Sequence, residues 1–163
     1  QVEAEQAFEF EIALADAGMG AVDLAVEGED QRERVFGELV TALAIHFDVE
    51  EQVFYPSLKK RQTEDVLLES AEEHLGCKRI LADLIDLAPD DPTFEPKIEV
   101  LRKLVEMHVE REEQELFPMA ERILKGEQPM AVSQEMTRVM EEIRVGGEAR
   151  DRLIDHTGEA AHI

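Results

Sequence analysis

Two stretches of this chain pair a histidine with a carboxylate at a spacing suited to metal binding. Residues 46–56 read HFDVEEQVFYP and residues 108–118 read HVEREEQELFP. His46, Glu50, Glu51, Gln52 and Pro56 of the first recur as His108, Glu112, Glu113, Gln114 and Pro118 of the second. A helix repeats every ~3.6 residues, so His and Glu at i and i+4 leave one face a turn apart. An imidazole and a carboxylate on one inward face are the donors a metal site between helices uses. Two such pairs can hold two ions or share them.

The pattern predicts helices to carry these pairs almost throughout. The first is expected over about residues 3–26, the second over 30–61 with Pro56 bending or fraying its last turn. The third is expected over 63–87 with Thr63 as N-cap, and the fourth over 93–125, closing at Gly126. A shorter helix over 130–145 ends at Gly146-Gly147, and the remainder reads as a polar, loosely held tail. Short connections between long helices predict an all-α fold: an antiparallel up-down-up-down four-helix bundle with an additional short C-terminal helix. The expected division is 1–126 for the bundle and 127–163 for the helix and tail.

The apolar seams make the inference sharper. Helix 2 gives Phe36, Leu39, Leu43, His46, Glu50, Val53. Helix 3 gives Leu67, Ser70, His74, Cys77, Leu81, Leu84. Helix 4 gives Ile98, Leu101, Val105, His108, Glu112, Met119, with Glu115 between the last two. In each, ionisable groups stand where the pattern asks for apolar ones. A buried polar group left unpartnered costs ~2–7 kcal/mol, and a charge more. One metal cluster would account for all five.

With these residues the sequence resembles the hemerythrin-like, HHE cation-binding family. That family has a His on helix 1, HxxxE on helix 2, a His on helix 3 and HxxxE on helix 4. His46–Glu50, His74 and His108–Glu112 match three of the four elements. The resemblance covers about residues 1–125. It implies two non-haem iron ions bridged by Glu50 and Glu112 and capped by His46, His74 and His108; manganese and zinc accept the same donors. A ferritin-like site would need Glu-x-x-His, and no His of helices 2–4 has a Glu three residues before it.

Helix 1 departs from the family in having no His. The equivalent position falls near Glu11, which is expected to replace it, with Glu9 behind it and tail residues His156 and His162 as remoter substitutes. A site of three His and three carboxylates favours the ferric state. Reversible O2 carriage is then less expected than iron oxidation or peroxide turnover. Glu51, Glu113, Gln52 and Gln114 are expected to be solvated or to hydrogen-bond the imidazoles. Tyr55 and Phe117 are expected to pack near the bundle end, with hydrogen bonding of Tyr55 to a bound oxygen species ranked below packing, and Cys77 to be a buried inert thiol ahead of a thiolate ligand.

Composition bounds the partners. The net charge of −22 opposes binding to nucleic acid or anionic lipid, both polyanions. No run of ~18 apolar residues suggests a membrane span. QVEAEQAFEFEIA lacks the basic and apolar regions of a signal peptide, and the start at Gln1 suggests trimming there. A single Cys fits a reducing compartment, so a cytoplasmic setting is expected. The expected activity is binding of, or reaction with, O2, peroxide or nitric oxide, either as a catalase-, peroxidase- or ferroxidase-like enzyme or as a non-enzymatic iron or oxygen sensor. Oligomeric state is left open.

Overall fold

The computed structural model describes residues 29–88, 90–147, 149–158, 161 and 163. The predicted first helix, with Glu9 and Glu11, and His162 of the tail lie outside them. Every regular element among the described residues is helical, and the helices pack as a bundle. In chain order these are α1 (Glu29–Val49), a π-helical turn (Glu50–Phe54), α2 (Tyr55–Leu58), α3 (Glu64–Asp86) and α4 (Phe94–Arg111). A second π turn (Glu112–Leu116), α5 (Phe117–Ile123), α6 (Gln128–Gly146) and α7 (Ala149–Asp155) follow.

The two π turns are the main departure from the expected regular helices. Each starts at the glutamate of a repeated motif and ends just ahead of the residue preceding its proline. The Tyr55 N–H bonds the carbonyl of Glu50, and the Phe117 N–H that of Glu112, five residues back rather than four. Proline supplies no N–H and its ring collides with the carbonyl four residues before it, so widening that turn by one residue relieves both problems. Pro56 therefore acts upstream, and the helix runs on to Leu58 instead of fraying.

The extra residue moves the seam. Val53 and Met119, predicted to face the core, are only half-buried, and Glu115 is exposed. Phe54, Tyr55 and Leu58 fill the core from the end of the first π turn onward, and Leu116, Phe117 and Ala120 do so from the end of the second. Upstream of the turns the predicted seams hold apart from half-buried Phe36: Leu39, Leu43, Ile98, Leu101 and Val105 are buried, as is all of Leu67, Ser70, His74, Cys77, Leu81 and Leu84.

Two smaller expectations change. Thr63 stands at the N-cap position of α3, but its hydroxyl donates to the carbonyls of Leu58 and Lys60 instead of capping the helix. A further helix stands in the expected tail: α7 follows Gly147, whose positive φ of 66° ends α6 in the left-handed region that glycine tolerates. Leu153 of α7 is 1% exposed, and Arg152 pairs with buried Asp48 of α1 at 2.9 Å. α6 packs on α1 and the first π turn, and α7 on α1 and α3. Among the described residues no helix is long and apolar enough to cross a membrane.

Candidate metal centre

Three helices bring the predicted donors together. His46, Glu50, His74 and His108 each place one ligand atom within 4.8 Å of the others, and all four are buried. Glu50 lies 3.6 Å from His46 Nε2, 3.1 Å from His74 Nε2 and 3.7 Å from His108 Nε2, each measured to its Oε2. Glu112 joins from the second π turn, with Oε2 3.5 Å from His108 Nε2. Both glutamates head a π turn, a local widening that recurs at functional sites in helices.

The His74 and His108 imidazoles are oriented from behind. His74 Nδ1 lies 3.0 Å from Glu51 Oε1, and His108 Nδ1 lies 3.0 Å from Glu73 Oε2. A carboxylate at Nδ1 places the ring proton there and leaves Nε2 as a bare lone pair, the arrangement that second-sphere carboxylates impose on metal-binding histidines. The two Nε2 atoms are 2.9 Å apart. Two lone pairs repel at that distance unless a cation sits against them. Imidazole nitrogens and carboxylate oxygens converging out of reach of water are a donor set that fits iron, manganese or zinc. Burial first, then the neighbouring His108, His46 and Lys78, holds the His74 pKa well below the ordinary imidazole value. The neutral form that binds metals is thereby favoured.

Glu51 meets the expectation of a glutamate bonded to an imidazole. Its repeat partner Glu113 is exposed, as are Gln52 and Gln114, and Gln114 donates to Glu110. Glu73 takes the role that the repeat would have assigned to Glu113. Its one sequence signal was its place beside the seam residue His74. Lys78 is buried and donates to both Glu51 oxygens at 2.8 Å. Burial raises the Glu51 pKa, and Lys78 offsets part of that rise. Nothing in the local pattern distinguished Lys78 from a surface lysine.

Tyr55 departs most from its expected packing role. It is fully buried, stacked near His74, with its Oη 3.1 Å from Glu50 Oε2, 3.1 Å from His74 Nε2 and 3.4 Å from Glu112 Oε1. Burial, then the charges of Glu50 and Glu112, pushes its pKa well above the usual phenol value, so it donates its proton to the carboxylates. Its counterpart Phe117 packs beside Phe54 instead. Cys77 is the buried thiol expected, pushed up to about 12 by burial and then by Glu73. His156 is exposed on a 3-10 turn outside the cluster.

Comparison with known proteins points to one family. The family model described as "Hemerythrin HHE cation binding domain" matches residues 5–120. A "DNA nickase" of Nostoc sp. is 29% identical over 119 residues, covering 72% of this chain but 34% of that protein. The uncharacterized protein Rv2633c of Mycobacterium tuberculosis is 28% identical over 102 residues, 62% of each chain. The chain thus spans less than two thirds of the length of these relatives. A crystal structure of a hemerythrin HHE cation binding domain-containing protein, the Rv2633c homolog of Mycobacterium kansasii, superposes with a TM-score of 0.74 at 20% identity. That match covers 92% of this chain and 96% of the other, and it shows the shared fold.

Proposed function

This chain belongs to the hemerythrin HHE cation-binding domain family, and we propose on that premise that it is a non-haem di-iron protein that binds or reacts with O2, peroxide or nitric oxide. The observation that carries this reading is the buried convergence of His46, Glu50, His74 and His108, with Glu112 and Tyr55 completing the wall. His46, His74 and His108 are the proposed nitrogen ligands, and Glu50 and Glu112 are the carboxylates that would hold the metal beside them. Glu11 stays a proposed oxygen donor from the first segment.

When bound, two iron ions supply the redox chemistry for small oxygen or nitrogen ligands. The protein supplies the rest. Glu51 and Glu73 fix the rings of His74 and His108 with Nε2 toward the pocket. Leu39, Leu43, Leu101 and Val105, buried on the same seams as the donors, give the core an apolar interior, which strengthens each charge interaction inside. Tyr55 holds a proton at Oη next to both carboxylates, where it can hydrogen-bond a small ligand. The acidic surface and the net charge of −22 speak against transferring DNA contact from the longer Nostoc protein.

The test is a count of metals per chain by mass spectrometry on protein from iron-replete cells, with the near-ultraviolet spectrum taken before and after peroxide. Two irons per chain with an oxo-bridge charge-transfer band are expected; one or none overturns the di-iron reading. Steady peroxide consumption marks an enzyme, and spectral change without turnover marks a sensor. Glu11→Ala that keeps full iron and an unchanged spectrum removes Glu11 from the ligand set.

A further inference from the structure

Each carboxylate behind the site is itself held by a cation from the same helix as the imidazole it orients. Glu51 orients His74, and Lys78, one turn on from His74, grips both Glu51 oxygens at 2.8 Å. Glu73 orients His108, and Arg111, just under one turn on from His108, reaches Glu73 at 3.2 Å. The two relays are alike in order but unequal in strength. Arg111 is partly exposed and also bonds Glu69 at 2.8 Å, so water and a second carboxylate share its charge. The Lys78 side chain is 4% exposed, it contacts no other carboxylate among the described residues, and its ammonium lies 5.9 Å from the Phe47 ring centre.

A buried lysine needs a reason to be retained, since replacing such a pair with apolar groups is often neutral or stabilising. The geometry points to one: we propose that Lys78 is a positioning residue that sets the electronic character of the metal nearest His74, acting through Glu51. The proposal rests on the metal-binding reading above. A carboxylate that receives the Nδ1 proton pulls it from the ring and makes the imidazole a stronger donor to a metal. An ammonium on the same carboxylate draws its charge away and weakens that pull. It also places a positive charge near the metal. Both effects favour the reduced ion over the oxidised one. The Arg111 relay, diluted by solvent, does the same more weakly, so the two halves of the site are made unequal.

The experiment is a reductive titration of the iron-loaded protein, with iron counted first in every sample. Dithionite supplies one electron to each ferric ion through mediator dyes, and the optical spectrum reports the ratio of reduced to oxidised iron at each solution potential. Lys78→Met removes the charge at similar volume. A buried unit charge two hydrogen bonds from the ring, acting through an effective dielectric of about 20, changes that ratio on the order of tenfold. K78M should therefore titrate at a potential lower by about 59 mV, the one-electron equivalent of tenfold. Lys78→Arg keeps the charge and should titrate like the unaltered protein. Glu51→Gln should shift the other way, an opposite sign that mere loss of packing does not produce.

Equal iron content with K78M unchanged in potential overturns the proposal, as does a K78R protein displaced as far as K78M. If K78M sheds its iron, K78R and E51Q decide: a K78R shift, or no upward shift in E51Q, overturns it. Absence of iron from the unaltered protein is a different failure, that of the metal site itself.

Discussion

Replacing Tyr55 by Phe removes one oxygen from the centre of the site and leaves the ring in place. The structure lets the cost be estimated. Oη contacts Glu50 and His74 at 3.1 Å and Glu112 at 3.4 Å, all buried. In the metal-free protein the phenol keeps its proton and serves as a donor to charged carboxylates. A hydrogen bond to a charged group contributes ~1.5–3 kcal/mol, and no cavity larger than one oxygen is left. For a chain of this length ~1 kcal/mol moves the melting temperature by about 2–4 °C, so Y55F should melt ~3–12 °C lower without metal. Iron would neutralise the carboxylates, and the penalty should then shrink toward the ~0.5–1.5 kcal/mol of an ordinary hydrogen bond. If Oη is instead an iron ligand, the penalty should grow on loading and the visible spectrum should change. Thermal unfolding followed by circular dichroism, on chelator-stripped and iron-loaded samples with iron counted, separates these outcomes. A metal-free Y55F protein that melts with the unaltered one would refute the role given to Oη.

Three further outcomes follow from the same contacts. The folded-state pKa of His74 lies below its unfolded value of about 6.5, so below that pH the unfolded chain takes up a proton the folded one refuses. Stability of the metal-free protein should therefore fall from pH 7.5 to 5.5, by up to about 1.4 kcal/mol per unit, in urea unfolding. The raised pKa of Glu51 works in the opposite sense at lower pH, and a flat or rising profile in this window would contradict the burial argument. Leu153→Ala should cost ~2–5 kcal/mol because the side chain is wholly buried, and a loss under ~1 kcal/mol by chemical denaturation would mean that α7 is only loosely docked. Cys77, with its pKa of about 12, should resist a thiol-exchange reagent until the chain unfolds, and rapid labelling of the native protein would count against its burial.

Much of the site could be read along one helix at a time. His46 with Glu50, and His108 with Glu112, are separated by one turn, and helix geometry alone puts each pair on one face. The seams running through them are apolar, so burial of the pairs followed from periodicity; His74 sits on the third seam, but its place among the ligands rested on the family resemblance. Glu51 as an imidazole partner was within reach because it adjoins a seam glutamate. Glu73 was not foreseen, because the repeated motif pointed to Glu113, which faces solvent.

What stayed hidden depended on distances between helices. A regular helix read past Glu50 and Glu112 places Val53 and Met119 in the core. The π turns that Pro56 and Pro118 accompany advance the chain by one residue and put Phe54, Tyr55, Leu116 and Phe117 there instead. That shift carries Tyr55 into the donor cluster, while Phe117 at the matching place packs on Phe54. Lys78 and Arg152 read as ordinary surface cations because nothing near them in the chain binds them. Their carboxylates, Glu51 and Asp48, come from α1 and its π turn. The sequence by itself determined the helices, the faces they bury and the two histidine–glutamate pairs, since these follow from the spacing of neighbours along one helix. Only the tertiary structure decided which carboxylate orients which imidazole, which cation restrains it and that the chain's one phenol enters the site, because each depends on how separate helices are packed side by side.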